Sequence, residues 1–193
     1  MYYYKIYKPY GVLSQFSKKE PEQVTLQDVF KFPKAVYPIG RLDKDSEGLL
    51  ILSDDITLNN KLLNPKFKMP KSYLAQVEGI PTQEALKKLE SGILIKIDGK
   101  SHKTLPATVK LMDKIPNYPE RIPPIRIRKS IPDRWIEITI HEGKNRQVRR
   151  MFAAVGFPVL RLIRISIGPI QLGTLQAGKT VLLNNAELLA LKV

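Results

Sequence analysis

The sequence predicts an α+β domain built on a mainly antiparallel, mixed β-sheet with flanking helices. Three observations lead there. Stretches with strand character outnumber helical ones, and successive strands often follow one another with no helix between them. At 193 residues the chain is long enough for one well-buried core and short for two independent ones. Its 43% hydrophobic and 26% charged residues are an ordinary globular balance, which argues against wholesale disorder.

The elements follow in order. Residues 2–7 read as an opening strand, rich in Tyr and closed by Pro9-Tyr10-Gly11. Thr25 is placed to cap a short helix to Phe30. Residues 36–39 and 48–53 read as strands, the second an apolar run from Leu49 to Leu52. Asp55 to Leu63 has helical spacing and stops at Asn64-Pro65. Ser72 to Glu78 is a strand in which Tyr73, Ala75 and Val77 share one face. Thr82 caps a helix over 83–90, ended by Gly92. Short strands are expected near 93–97 and 104–112, and the proline-interrupted 115–133 is irregular. Trp135 to Ile140 alternates as a strand, Asn145 to Val155 reads as a helix ended by Gly156 and Pro158, Val159 to Ile167 is a long strand, and a helix over 186–191 closes the chain.

Charge narrows the function. Thirty-two Lys and Arg against eighteen Asp and Glu leave a net +14, which favours a polyanionic partner, nucleic acid first. A basic but merely solvated surface is the rival reading. The absence of Cys excludes disulfides, thiolate-held metals, Fe–S clusters and thiol nucleophiles, and the two His are too far apart for a local metal motif. The basic, aromatic start has no secretory apolar core, and no apolar run approaches the roughly 18 residues that span a bilayer. A cytoplasmic protein with no membrane partner is expected.

Three segments carry chemistry. Gly40-Arg41-Leu42-Asp43-Lys44-Asp45-Ser46-Glu47-Gly48-Leu49-Leu50 sets acids and a cation on a loop between glycines, just ahead of a buried strand. Read alone, Asp43, Asp45 and Glu47 fit either a carboxylate cluster for a divalent metal, as in a nuclease, or a polar turn whose acids cap the next element. Lys71-Ser72-Tyr73-Leu74-Ala75-Gln76-Val77-Glu78-Gly79 holds an aromatic that fits an ordinary core position. Glu142-Gly143-Lys144-Asn145-Arg146-Gln147-Val148-Arg149-Arg150-Met151 packs four cations into seven residues at a helix start, where backbone N–H groups attract phosphate, or simply forms a solvated basic face. Beyond them, Arg161-Leu162-Ile163-Arg164-Ile165-Ser166-Ile167-Gly168 puts Leu162 and Arg164 on one strand face, and Pro123 to Pro132 strings Arg126, Arg128 and Lys129 along a stiff segment that suits a phosphate backbone or a partnerless connection.

Together these motifs closely resemble those of the RsuA/RluA-type pseudouridine synthases: G-R-L-D-x-D-S-E-G-L-L, K-x-Y-x-V-x-V-x-G, E-G-[KR]-x-x-Q-[VI]-[KR]-R-M and L-x-R-x-x-I-G. The similarity runs from Lys5-Ile6-Tyr7-Lys8-Pro9 to the last strand, and the Pro-rich insert is like that of the large-subunit synthase E branch. The resemblance implies a pseudouridine synthase fold with a central RNA-binding cleft. It implies a single catalytic domain over residues 1–193 without the N-terminal S4 domain of many relatives. It implies breakage of the C1′–N1 bond of a uridine in ribosomal RNA (23S rRNA is the expected substrate), rotation of the uracil and reattachment through C5, with no cofactor and no metal.

By the same resemblance Asp43 is the catalytic nucleophile, acting at C1′ or on the C2′ proton. Tyr73 packs on the flipped base and is placed for proton transfer. Lys144 pairs with Asp43, an arrangement that favours an ionised, oriented carboxylate. Arg41, Arg146, Gln147, Arg149, Arg150 and Arg164 are the expected RNA-binding residues. A monomer is expected. The rivals are a non-catalytic rRNA-binding or assembly module, a synthase for another structured RNA, and a metal-dependent nuclease.

Overall fold

The computed structural model describes residues 1–125 and 131–191. The chain folds into two compact units, Met1–Met69 with Ile163–Val193, and Pro70–Leu162. The basic stretch with Arg126, Arg128 and Lys129 lies outside the described residues.

The first unit is built around β3 (Glu47–Ser53), in which every residue is buried. A strand covered on both faces needs a continuous apolar run, and Leu49-Leu50-Ile51-Leu52 supplies it. β1 (Tyr3–Lys8) pairs antiparallel with β3 in the register Tyr3↔Ser53 to Lys8↔Gly48. β2 (Tyr37–Pro38) pairs antiparallel with the end of β3. The later strand β9 (Val159–Ile167) meets β3 in parallel through Glu47↔Ile163 and Gly48↔Arg164. β10 (Ile170–Gln171) folds back on β9, and β11 (Thr180–Leu182) covers the free edge of β1.

Two helices of this unit begin where side chains satisfy backbone donors. In α1 (Leu26–Val29) the Asp28 carboxylate accepts from the Thr25 N–H at 2.8 Å. In α2 (Ile56–Leu63) Asp55 accepts from the N–H groups of Thr57 (2.8 Å) and Leu58 (3.3 Å). Leu58 and Leu62, one turn apart, bury the inner face of α2. A single 3-10 turn, Pro65–Phe67, follows.

The second unit holds an antiparallel sheet in the order β4 (Lys71–Glu78), β8 (Asp133–Ile140), β7 (Thr108–Leu111). β4 and β8 stay in register over all eight residues, from Lys71↔Ile140 to Glu78↔Asp133. A separate hairpin, β5 (Leu94–Ile97) and β6 (Lys100–Lys103), turns at Asp98-Gly99, both at positive φ. α3 (Gln83–Glu90) starts on Thr82, whose hydroxyl accepts from the Ala85 N–H at 3.2 Å, and buries Ala85, Leu86 and Leu89. α4 (Gln147–Ala154) buries Val148, Met151 and Phe152. α5 (Asn185–Leu191), in the first unit, ends the described chain. The unit boundary falls inside β9, between Leu162 and Ile163. Among the described residues no helix is long and apolar enough to cross a membrane.

Candidate active site and nucleic-acid interface

In the first unit the Asp43 loop is pinned at several points. Ser14 is buried, and its hydroxyl both donates to the Leu42 carbonyl (2.8 Å) and accepts from the Leu42 N–H (3.0 Å). One side chain thus fixes the backbone immediately before Asp43. After it, the Ser46 N–H returns to the Asp43 carbonyl at 3.0 Å, closing a turn with Lys44 and Asp45 at its corner, and the Lys44 carbonyl accepts from the Gly11 N–H at 2.8 Å. Asp43 is half-buried, Arg41 exposed.

Gly48 fixes the far end. At φ +103° a Cβ there would lie 2.3 Å from the Arg164 carbonyl oxygen and 2.7 Å from its nitrogen. The parallel pairing of β3 with β9 therefore requires glycine at this position.

Beneath the loop sit charges that the composition hides. Lys8 is 0% exposed, Glu47 3% and Arg164 4%. Lys8 Nζ donates to the carbonyls of Pro9 (2.8 Å) and Val12 (2.7 Å), and Arg164 Nε donates to the Leu49 carbonyl (2.7 Å). Burial pushes the Lys8 amine down to about 7, against the pull of Glu47, Asp45 and Asp43, with Arg164 adding repulsion. The Tyr7 hydroxyl reaches the Glu47 carboxylate at 3.4 Å. Ser46 Oγ and Arg164 Nη2 are buried without a hydrogen-bond partner among the described residues. Each such group costs roughly 1–3 kcal/mol, so this loop rests on a base that is tense as well as charged.

The second unit holds Tyr73 and the basic loop. Tyr73 is buried on β4 opposite Ile138, with Leu74 and Ala75 buried beside it. Both faces of β4 are covered there, so the alternation expected from sequence holds only for Ser72 and Gln76. In the loop, Lys144 and Arg146 are exposed. The helix starts at Gln147 rather than at residue 145, because Arg146 takes the left-handed conformation (φ 51°) as its N-cap.

Glu142 organises this loop. Its carboxylate accepts from the Gln147 side-chain amide (2.7 Å) and the Leu105 N–H (2.9 Å), and faces His102 Nε2 at 3.0 Å. Gln147 in turn accepts from the Lys144 N–H at 3.0 Å. Gln147, expected at RNA, is buried and spent on this network. Arg149 Nη1 donates to the Val159 carbonyl (3.1 Å), while Arg150 donates to the carbonyls of Lys96 (2.5 Å) and Asn145 (3.1 Å). Arg164, also expected at RNA, is inside the first unit. Leu162, on β9, is buried as a core leucine would be.

The first unit thus brings Arg41, Asp43 and Arg164 together with Lys8 and Glu47. The second brings Lys144, Arg146, Gln147, Arg149 and Arg150 together with Glu142 and His102, and carries Tyr73 on its sheet. Sequence reasoning passed over Lys8, Ser14, Glu142 and His102. Lys8 had a signal, since it shares the inward parity of Ile6 on β1. Among the described residues no group of three His, Asp or Glu side chains is arranged to hold a metal ion. Asp43, Asp45 and Glu47 are spread around a turn instead.

The first unit thus holds an acid on a pinned loop, and the second an aromatic on a buried strand and a braced cationic loop. A family model described as RNA pseudouridylate synthase matches residues 2–154. The chain belongs to that family. The Ribosomal large subunit pseudouridine synthase E of Xanthomonas axonopodis pv. citri is 52% identical over 169 residues, covering 87% of this chain and 86% of the relative. The synthase of the same name from Vibrio parahaemolyticus is 51% identical over 172 residues, 89% of this chain and 69% of the longer relative. A crystal structure of a pseudouridylate synthase superposes with a TM-score of 0.80 at 28% identity, covering 98% of this chain and 73% of that one. Within the pseudouridylate synthases the chain groups with the RsuA type and its E branch, and its α+β fold is theirs.

Proposed function

We propose that this pseudouridylate synthase isomerises one uridine of ribosomal RNA, in the large subunit's 23S rRNA, with Asp43 as the catalytic carboxylate. The observation that supports this most is the anchoring of Asp43: one serine clamps the residue before it, and a glycine-dependent strand pairing fixes the segment after it. Catalysis at a sugar carbon needs an acid held to within a fraction of an ångström, and a pinned loop provides that.

In the reaction the C1′–N1 bond breaks while Asp43 acts at the sugar. The freed uracil turns and C5 joins C1′; the C5 proton leaves and N1 gains one, so no oxidant, metal or group donor is consumed. Tyr73 packs on the flipped base. Lys144 pairs with Asp43 and keeps it aimed at the sugar. Arg41, Arg146, Arg149 and Arg150 meet the phosphates, whereas Gln147 and Arg164 act from behind the surface, one bracing the Lys144 loop and the other bracing β3. Both compact units serve one catalytic domain, which works as a cytoplasmic monomer, away from membranes and without a cofactor.

The test is Asp43→Asn with 23S rRNA carrying tritium at uridine C5. Tritium release should vanish while RNA affinity stays. Turnover near wild type would sink the assignment, and unchanged pseudouridine maps of 23S rRNA in cells lacking the protein would move the substrate to another RNA.

A further inference from the structure

Six aromatic rings of the first unit run together on its surface, away from the motifs that carry the reaction. Tyr2 stacks on Tyr4 at 6.0 Å with planes 14° apart, and Tyr4 meets Phe30 (5.9 Å) and Phe32 (5.5 Å). Phe30 and Phe32 lie 4.7 Å apart edge to face; Phe16 then joins Phe32 (5.7 Å) to Tyr37 (6.0 Å). A core cluster would be hidden, yet Tyr37 is 62%, Tyr2 47% and Phe30 37% exposed. Exposed rings in a connected row are a surface kept ready for a partner.

We propose that this row is a stacking platform for single-stranded RNA flanking the target uridine; the inference rests on the RNA-synthase reading above. Three observations select that partner. The rings are interleaved with exposed Lys31 and Lys34, and residues 29–38 contain no acid. Rings that offer π-faces among cations suit successive bases on a phosphate chain, because every base has a face to stack. The exposed members of the row are all rings, with a Tyr at each end and exposed Leu182 of β11 opposite Tyr4, whereas a protein-docking patch would be expected to centre on buried apolar anchors ringed by polar groups.

Placement fits as well. Tyr4 and Lys8 lie on the same strand, β1, and Lys8, buried at its far end, is close enough to Asp43 to feel its charge. Tyr4 and Lys8 are roughly 14 Å apart along the strand at its ordinary rise, a span that a few nucleotides cover. From the other end, Tyr37 leads through Pro38, Ile39 and Gly40 directly into the Asp43 loop. A strand held on the rings would enter the site already in register, and the platform would select substrates whose target has an unpaired flank.

The test uses a fluorescein-labelled uridylate dodecamer and a blunt RNA duplex of equal length, read by anisotropy. Tyr37→Leu keeps apolar bulk but loses the ring, and should weaken dodecamer binding about tenfold while leaving duplex binding within about twofold. Tyr37→Phe should bind the dodecamer like wild type. Equal dodecamer affinity for Tyr37→Leu and wild type, or an equal loss on the duplex, overturns the platform. Wild-type-like RNA binding by Tyr37→Leu together with lost self-association in sedimentation would assign the rings to a second copy of the chain, and overturns it too. The same protein is assayed for pseudouridine formation in 23S rRNA. If pseudouridine forms and Tyr37→Leu binds the dodecamer normally, the platform alone fails. If no pseudouridine forms yet the leucine variant loses the dodecamer, the synthase reading fails and the platform stands.

Discussion

Replacing Lys8 by methionine separates what its buried ammonium costs from what it ties together. The amine titrates near 7 in the folded chain and near 10.5 when unfolded. Below pH 7 both states hold the proton; above about 10.5 neither does. In the window between, the unfolded chain binds a proton that the folded chain has lost, so wild-type stability must rise with pH. Three pH units at 1.36 kcal/mol each make that rise on the order of 4 kcal/mol between pH 7 and 10. Methionine carries no proton, so its curve lacks this component. It also leaves the Pro9 and Val12 carbonyls without their donor, a pH-independent loss of roughly 1–3 kcal/mol each. Near pH 7 the two effects oppose and the proteins should be close in stability; by pH 10 the wild type should lead clearly. Urea unfolding followed by circular dichroism at pH 7, 8, 9 and 10 reads the difference, in which the other lysines and tyrosines cancel. Curves for the two proteins that stay parallel within about 1 kcal/mol would refute the argument, because the ammonium would then be no worse off buried than in water.

Other perturbations follow from the same geometry. Gly48→Ala drives a Cβ into the Arg164 backbone at a φ that alanine resists, and should cost about 3 kcal/mol or more in urea unfolding; a loss under about 1 kcal/mol would mean that β9 can simply move aside. Lys144→Met should lower the rate far more than RNA affinity, and Lys144→Arg should keep much of the rate; a variant that only binds RNA more weakly would make Lys144 a phosphate contact. Arg146→Ala should flatten the logarithmic salt dependence of RNA binding by about 0.7 to 0.9. Arg150→Ala should flatten it by no more than that, since its guanidinium also braces the Lys96 and Asn145 carbonyls; an unchanged slope for either variant would take that residue off the phosphates.

Much of this was legible in the chain because local rules and burial agreed. Thr82 and Gly92 bracket α3 as a cap and a stop should, and Leu49 to Leu52 could only be a covered strand. The hairpin of β5 and β6 was half missed: Lys100-Ser101-His102-Lys103 has no apolar alternation, being largely exposed, although Asp98-Gly99 is a strong turn signal that could have found it. β10 and β11 are too short to show a period. In the site, motif matching singled out Asp43, Tyr73 and Lys144, but it placed Gln147 and Arg164 at the RNA-facing surface. Arg164 and Gln147 are inside, bonded to Leu49 on one side and to Glu142 and Lys144 on the other. Sequence gives the residue type and leaves open the burial that decides whether a charge meets solvent or a carbonyl.

The break inside β9 bears on the order in which the chain can fold as it is made. The second unit is one unbroken stretch, whereas the first is closed only by strands that emerge after it. β1 can fold back on β3 early, but the parallel edge of β3 stays uncovered until Ile163 and Arg164 have been synthesised. At bacterial and eukaryotic elongation rates that wait lasts roughly 5 to 20 s. Throughout it the Glu47-Gly48 end of β3, next to the apolar run Leu49 to Leu52, lacks its parallel partner, an unfinished edge of the kind that nucleates aggregation. Asp43, Asp45 and Glu47 stand before this run and Asp54 and Asp55 after it. The acids that flank this strand in the sequence are placed as gatekeepers for the nascent chain, charges that keep its most apolar strand solvated until its partner arrives.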